Sequence, residues 1–239
     1  AVAADFEATE QEDHADERYE NLEHSHELYC AGHLIQAAIA LKRATGEMKL
    51  FGAARRFADH ICDRFGPGRI ETTDGHPEIE IALLELYRET GEKRYLDLAD
   101  FFIHQPQSLQ DLPPIGKRPE LVGHCVRSGY ICSAAADYYA ETGDEQMLDH
   151  LRELWDDLVD GKMYVTGGVG ARYHGEAFGE PYELPSARAY AETCAAIAHI
   201  FWGWRMLLVT GEAHFADTVE RILYNGFLSG VSLSGTEYF

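Results

Sequence analysis

The tripeptide Thr-Gly-acid occurs four times in this chain: Thr45-Gly46-Glu47, Thr90-Gly91-Glu92, Thr142-Gly143-Asp144 and Thr210-Gly211-Glu212. Each one separates two stretches of helical apolar periodicity. Glycine suits the residue just past a helix end, where φ is positive, and the acid falls in the first turn of the next helix, where it complements the dipole. Four such turns join four pairs of helices. Their glycines are 45, 52 and 68 residues apart, which implies hairpins carrying variable insertions. In the first two pairs the leading helix is more apolar all round than its partner. That pattern predicts an all-α fold in which an inner ring of helices sits inside an outer ring, an α/α barrel or toroid; an open α-solenoid is the structural alternative.

The predicted elements follow. A helix over about 25–44 carries Leu34, Ala38 and Leu41 on one stripe and Ile35 and Ile39 on a second, so it should be buried on nearly all sides. Its partner covers about 47–64. Gly75-His76-Pro77 opens the next helix with Pro at its first position. An amphipathic helix presenting Tyr95, Leu98 and Phe102 follows, then a loop from Pro106 to Pro119. A third pair starts near Leu121, and a long helix over about 187–209 has a partner reaching about Tyr224. Val231-Ser232-Leu233 and Thr236–Phe239 alternate around Gly235 and should open a β region. The expected domain division is 1–23 as an acidic linker or loop, 24–228 as the helical domain and 229–239 as the start of a strand region. The chain begins without Met and ends within strand-like sequence, so it reads as part of a longer protein.

Charge limits the partners. Forty-one acidic against 20 basic residues give a formal charge of -21, which repels nucleic acid and anionic membrane surfaces. The same surface fits a well-solvated acidic enzyme or one adapted to high salt. No apolar run of about 18 residues is evident, so no membrane span is expected. The five cysteines, Cys30, Cys62, Cys125, Cys132 and Cys194, are odd in number and form no CxxC pair. A disulfide framework is not expected, and a reducing, cytoplasmic compartment fits.

Residues able to carry chemistry concentrate in Tyr173–Pro185 and Ala191–Cys194. Glu176 stands between glycines, where a loop can approach a ligand closely; it is a candidate general acid/base or an ordinary solvated loop residue. Glu192 and Cys194 are both zinc-type ligands, yet two residues apart in a helix they would diverge by about 200°. They can face one ion only where the backbone is extended or just entering a helix. His26 and His33 should share a face of the first helix, while His76 and His124 lie at helix starts; together they suggest a polar pocket, and singly they are ordinary structural histidines. Trp155, Trp202 and Trp204 could stack on sugars but have the spacing of core residues. No GxGxxG, P-loop, HExxH or GxSxG occurs.

Taken in order, His26-Glu-Leu-Tyr-Cys-Ala-Gly-His33, Gly75-His-Pro-Glu-Ile-Glu80, Gly123-His-Cys-Val-Arg127, His174-Gly-Glu-Ala177, Ala191-Glu-Thr-Cys194 and Glu220-Arg-Ile-Leu-Tyr-Asn-Gly226 resemble glycoside hydrolase family 127, the β-L-arabinofuranosidase family. The resemblance implies an (α/α)6 barrel, incomplete here, with β-sandwich domains beyond it. It also implies retaining hydrolysis of β-L-arabinofuranosides in arabinose-containing glycans, with zinc held by one glutamate and three cysteines. Glu192 and Cys194 match the first two ligands and Glu176 matches the acid/base. His26, His76, His124 and Glu220 match positions lining the arabinofuranose pocket. The family's nucleophile is a zinc-bound cysteine from a Cys-Cys pair. This sequence has no such pair, so the zinc site is expected to be incomplete and the chain alone inactive. Burial beside Phe178 is expected to raise the pKa of Glu176. An α/α-barrel sugar epimerase or isomerase and a non-catalytic helical-repeat binding protein remain as alternatives.

Overall fold

A computed structural model describes residues 18–107 and 110–239. Its helices are α1 (Leu22–Ser25), α2 (Glu27–Thr45), α3 (Lys49–Arg64), α4 (Ile79–Thr90), α5 (Lys93–Ile103), α6 (Cys125–Thr142), α7 (Glu145–Asp157), α8 (Thr193–Thr210) and α9 (Ala213–Arg221). Every Thr-Gly-acid turn closes a hairpin of two of them: α2/α3, α4/α5, α6/α7 and α8/α9. Gly46, Gly91, Gly143 and Gly211 hold φ of 76°, 73°, 70° and 72°, and each donates its N–H to the carbonyl four residues back. The threonine has its own task. Its hydroxyl donates to the carbonyl of the preceding turn (Thr45 to Leu41, 2.7 Å; Thr210 to Met206, 2.8 Å) and accepts the N–H of the following acid (Glu47, 3.1 Å; Glu212, 3.1 Å). One side chain thus satisfies an orphan carbonyl of one helix and fixes the start of the next. In the third turn Asp144 goes on to cap α7, accepting from the N–H groups of Gln146 and Met147.

The leading helices form an inner row in which α2 packs on α4, α4 on α6 and α6 on α8, with the trailing helices outside them. The approach of inner helices is close. A Cβ on Gly129 of α6 would lie 2.7 Å from Ala198 Cβ of α8, and one on Gly32 of α2 would lie 2.7 Å from Glu78 Cγ. Between the layers Trp155 packs edge-on against Trp202 (4.9 Å between ring centroids) and against Phe215 (5.1 Å). Such fully buried side chains contribute about 1.5–3 kcal/mol each. Trp155 and Trp202 are therefore core residues, while Trp204 is 52% exposed.

Several boundaries differ from expectation. Residues 1–17 of the expected acidic linker lie outside the described residues, but its last part is packed: Tyr19 and Leu22 are buried, and Tyr19 meets Phe65 edge-on. Helix α2 begins only at Glu27, because His26 adopts φ 55° and breaks the chain from α1; His26 and His33 do not share one helix. Nor is α2 buried all round, since Leu34 and Leu41 are each 37% exposed. Among the described elements it has α3 and α4 as its main packing partners and stands at one end of the inner row. At the other end α8 exposes Phe201, Trp204 and Leu208. By length and composition α8 could cross a bilayer, contrary to the sequence expectation, although 44% of it is buried within the fold. Pro77 precedes α4 rather than starting it, and α8 begins at Thr193, leaving the preceding residues extended. The C-terminal stretch forms one antiparallel bridge, Val231 to Tyr238, and the Phe239 carbonyl accepts the Thr193 N–H at the start of α8 (2.9 Å).

The long connection from α7 to α8 is pinned where it matters. Lys162 is buried, and its ammonium donates to Glu120 (2.7 Å), the Leu121 carbonyl (2.7 Å) and Asp157 (3.0 Å). That cluster ties the approach to α6 to the end of α7. The start of α6 and the connection meet at the site.

Candidate active site

Glu176 sits in a single 3-10 turn, His174–Glu176, in which Gly175 and Glu176 take φ of 75° and 50°. A non-glycine residue there costs about 1–2 kcal/mol, and such strain persists only where surrounding contacts hold it. Here Arg172 and Ala177 exchange both backbone hydrogen bonds at 3.0 Å, and Phe178 N–H donates to the Gly123 carbonyl at 3.0 Å. The Cys125 thiol donates to the Glu176 carbonyl at 3.1 Å. The backbone twist turns the carboxylate toward α6, with Oε2 2.9 Å from His124 Nε2 and 2.8 Å from the Tyr190 hydroxyl.

The proton on His124 can be placed. Nδ1 accepts the Val126 N–H at 3.2 Å, so it carries no hydrogen, and Nε2–H donates to Glu176. Burial, helped by the Arg127 and His26 charges, lowers the imidazole to about 4. It is a neutral donor at neutral pH. Phe178 does not bury Glu176 as expected. Its ring turns into the core against His199 (6.0 Å), and the Glu176 side chain is 48% exposed. Two hydrogen bonds set this carboxylate, not a hydrophobic wall.

Glu192 has φ -71° and ψ 157°, an extended residue at the N-cap position of α8, so the condition for Glu192 and Cys194 to converge is met. Side chains two apart on extended backbone share a side. The Cys194 thiol lies 3.4 Å from Glu192 Oε1, and the Tyr190 hydroxyl is within hydrogen-bond reach of Glu192 Oε2 as well as of Glu176 Oε2, its single proton shared between the two. Tyr190 thus bridges the two carboxylates. Burial and both carboxylates raise its pKa and keep the phenol protonated. Its ring is seated against Gly170 (φ 99°), where a Cβ would lie 2.6 Å from Tyr190 Cδ1. Burial and Glu192 push the Cys194 thiol up to about 11, so a dication bound here would displace that proton. An oxygen and a sulfur donor aimed at one point fit half of a tetrahedral zinc site. Among the described residues no group of three or more His, Cys, Asp or Glu could hold a metal ion.

The histidines gather on the opposite wall. Asp74 holds them: Oδ2 accepts the Leu28 N–H (2.7 Å) and Oδ1 the His76 N–H (3.0 Å), so one carboxylate caps α2 and fixes the segment before α4. The rings of His26 and His76 lie 6.0 Å apart, and those of His76 and His124 6.2 Å apart. His76 Nδ1 donates to the Pro77 carbonyl (2.9 Å), which leaves Nε2 as an acceptor, and burial lowers this imidazole to about 3. Tyr29 and Tyr130 flank it at 4.6 and 5.0 Å. Glu220 is not brought here; it is exposed on α9 and lines neither cavity described below. His33 is exposed and stands apart from them, 3.3 Å from Glu78 Oε1.

Two adjoining cavities share His124, Arg127, Glu176, Tyr190 and Glu192. One, of about 570 Å³, is completed by His26, Tyr29, His76, Tyr130, Cys194 and neighbours. The other, of about 590 Å³, is completed by Gln110, Tyr173, His174, Gly175 and Phe239. Both are of a size that suits small-molecule ligands. The sequence reading missed Tyr190, Tyr29, Tyr130, Arg127 and Asp74. Tyr190 could have been found, since it continues the alternation Tyr190, Glu192, Cys194; Asp74 carries no signal in so acidic a chain.

Comparison with known proteins places this geometry. The catalytic-domain family described as "Beta-L-arabinofuranosidase, GH127 catalytic domain" matches residues 3–239. A non-reducing end β-L-arabinofuranosidase of Bifidobacterium longum subsp. longum is 35% identical, over 93% of this chain and 38% of its own length. The crystal structure of a GH127 β-L-arabinofuranosidase from Geobacillus stearothermophilus superposes with a TM-score of 0.88 at 41% identity, covering 93% of this chain and 39% of that one. A second solved structure, a GH127 β-arabinofuranosidase, gives a TM-score of 0.88 at 41% identity over 94% of this chain and 37% of its own. The chain thus spans about two fifths of the relatives it matches. With a family match across nearly its whole length and the same fold in those relatives, this chain belongs to the GH127 β-L-arabinofuranosidase catalytic-domain family.

Proposed function

We propose that this chain carries the acid/base and part of the metal site of a retaining glycoside hydrolase that releases L-arabinose from β-L-arabinofuranosides. The observation that carries the reading is the Glu176 carboxylate, held at 2.9 and 2.8 Å by a neutral His124 and by Tyr190, beside the converging pair Glu192 and Cys194. Glu176 protonates the glycosidic oxygen as the leaving group departs, then takes a proton from the water that frees the sugar. His124 and Tyr190 aim its Oε2. His76, with Nε2 free to accept, and His26 bind sugar hydroxyls across the cavity. Glu192 and Cys194 supply two of the zinc ligands, and a bound zinc would hold a nearby cysteine as thiolate and neutralise charge. The nucleophile matches none of the five cysteines here; the resemblance assigns it to a Cys-Cys pair. All five thiols are free, which supports a reducing, cytoplasmic setting.

The test uses the full-length protein. About one zinc per chain and turnover of an aryl β-L-arabinofuranoside are expected, with zinc lost in Cys194→Ser. Undiminished zinc in that variant would overturn the ligand assignment.

A further inference from the structure

The two cavities meet at Glu176 but differ in what else they hold. One has His26, His76 and Cys194; the other has Gln110, Tyr173, His174 and Phe239 and lacks Cys194, and His124 stands between them. A general acid must reach the oxygen joining the departing sugar to its leaving group, so the two halves of the substrate lie on either side of it. Resting on the glycosidase reading, this division assigns the histidine cavity to the arabinofuranosyl unit and leaves the second cavity for what departs.

We infer that the second cavity is a binding subsite for a sugar ring as leaving group, with Tyr173 as its stacking face and Gln110 and Arg127 as its hydrogen-bond donors. Tyr173 is 56% exposed at the cavity wall, and its backbone carbonyl accepts the Glu176 N–H at 3.1 Å, so its main chain is tied to that of the acid. An exposed aromatic face beside a catalytic carboxylate offers a flat apolar surface to the C–H side of a sugar. Gln110 has a fixed orientation. Its Oε1 accepts the His124 N–H at 2.9 Å, which commits the oxygen inward and leaves the amide N–H₂ to donate. Arg127 stands where the cavities join, and its Nε is buried without a hydrogen-bond partner. A buried donor left unmade is costly, and a ligand hydroxyl offers it an acceptor.

The test compares two substrates with leaving groups of similar basicity in the full-length protein: methyl β-L-arabinofuranoside and a disaccharide in which β-L-arabinofuranose is linked to a second sugar. The wild type should prefer the disaccharide in kcat/KM. Tyr173→Ala and, independently, Gln110→Ala should lower the disaccharide-to-methyl ratio of kcat/KM roughly three- to tenfold, through KM. Tyr173→Phe, which keeps the ring, should restore the ratio. An unchanged ratio in both alanine variants, or an equal fall on both substrates, would overturn the subsite. Failure of the wild type to hydrolyse either substrate would instead overturn the glycosidase reading beneath it.

Discussion

Tyr190→Phe removes one oxygen from the point where the acid/base and the metal-ligand segment touch. The ring itself, 5% exposed and seated on Gly170, keeps its packing, so no cavity forms. What goes is a hydrogen bond to Glu176 Oε2 at 2.8 Å and its companion to Glu192. A hydrogen bond to a charged group is worth about 1.5–3 kcal/mol. At about 1.4 kcal/mol per factor of ten, full loss of its effect on Glu176 corresponds to roughly 10- to 150-fold. His124 still holds the same oxygen from the other side, so the lower figure is expected, about tenfold. The assay is kcat/KM on methyl and 2,4-dinitrophenyl β-L-arabinofuranosides, with zinc content measured alongside. Methanol needs a proton to leave and dinitrophenolate does not, so the methyl glycoside should fall about tenfold while the dinitrophenyl one stays within about twofold. An equal fall on both, with zinc retained, would show that Tyr190 does not act by aiming the acid. No fall on either would show that His124 suffices.

Two further outcomes concern stability. Burial, reinforced by Glu80, pushes Glu78 up to about 8, and its Oε1, 3.3 Å from His33 Nδ1, makes no well-aligned hydrogen bond. The unfolded carboxyl ionises near 4.5 while the folded one keeps its proton, so the folded state binds more protons between these values and stability falls as pH rises from about 4.5 to 8. Glu78→Gln should therefore gain unfolding free energy over wild type at pH 8–9, by a few kcal/mol at most, and little at pH 5; a pH-independent difference would contradict the burial argument. The glycines make a second contrast. Gly129→Ala drives a methyl to 2.7 Å from Ala198 Cβ and 3.0 Å from its backbone, and should destabilise by about 1–3 kcal/mol. Gly52→Ala, at the end of the first turn of α3 with nothing nearer than an Arg56 nitrogen at 3.7 Å, should stabilise by up to about 0.5–1 kcal/mol. Thermal unfolding of both variants decides, and the same sign for both would refute the packing reading.

The hairpins were legible because four turns repeat one local chemistry, glycine past a helix end with an acid after it. What the sequence hid was the threonine, whose two hydrogen bonds at each turn become visible only once both helices are in place. Boundaries failed where non-local contacts decide them. The break at His26 follows from Asp74, 46 residues from Leu28, capping α2; no periodicity within α2 foretells it. The late start of α8 leaves Glu192 extended, and that local detail makes the Glu192–Cys194 pair geometrically possible. The exposed stripes on α2 and α8 read as interior positions because apolar composition says what a residue can pack against, not whether a neighbour is there. In the site, Glu176, Glu192, Cys194, His76 and His124 were legible as chemical types. Their connection through Tyr190 was not, since it depends on the left-handed turn at Gly175–Glu176.

The most direct test of the central reading is Glu176→Ala in the full-length protein, assayed on 2,4-dinitrophenyl β-L-arabinofuranoside with and without azide, and on the methyl glycoside. Loss of general acid/base catalysis should cost about 10²- to 10⁴-fold on the methyl glycoside. On the activated substrate, azide should take the place of water, speed turnover and yield the β-configured arabinofuranosyl azide, with configuration retained. Methyl glycoside hydrolysis at the wild-type rate, or the absence of any azide adduct or acceleration, would contradict the assignment of Glu176.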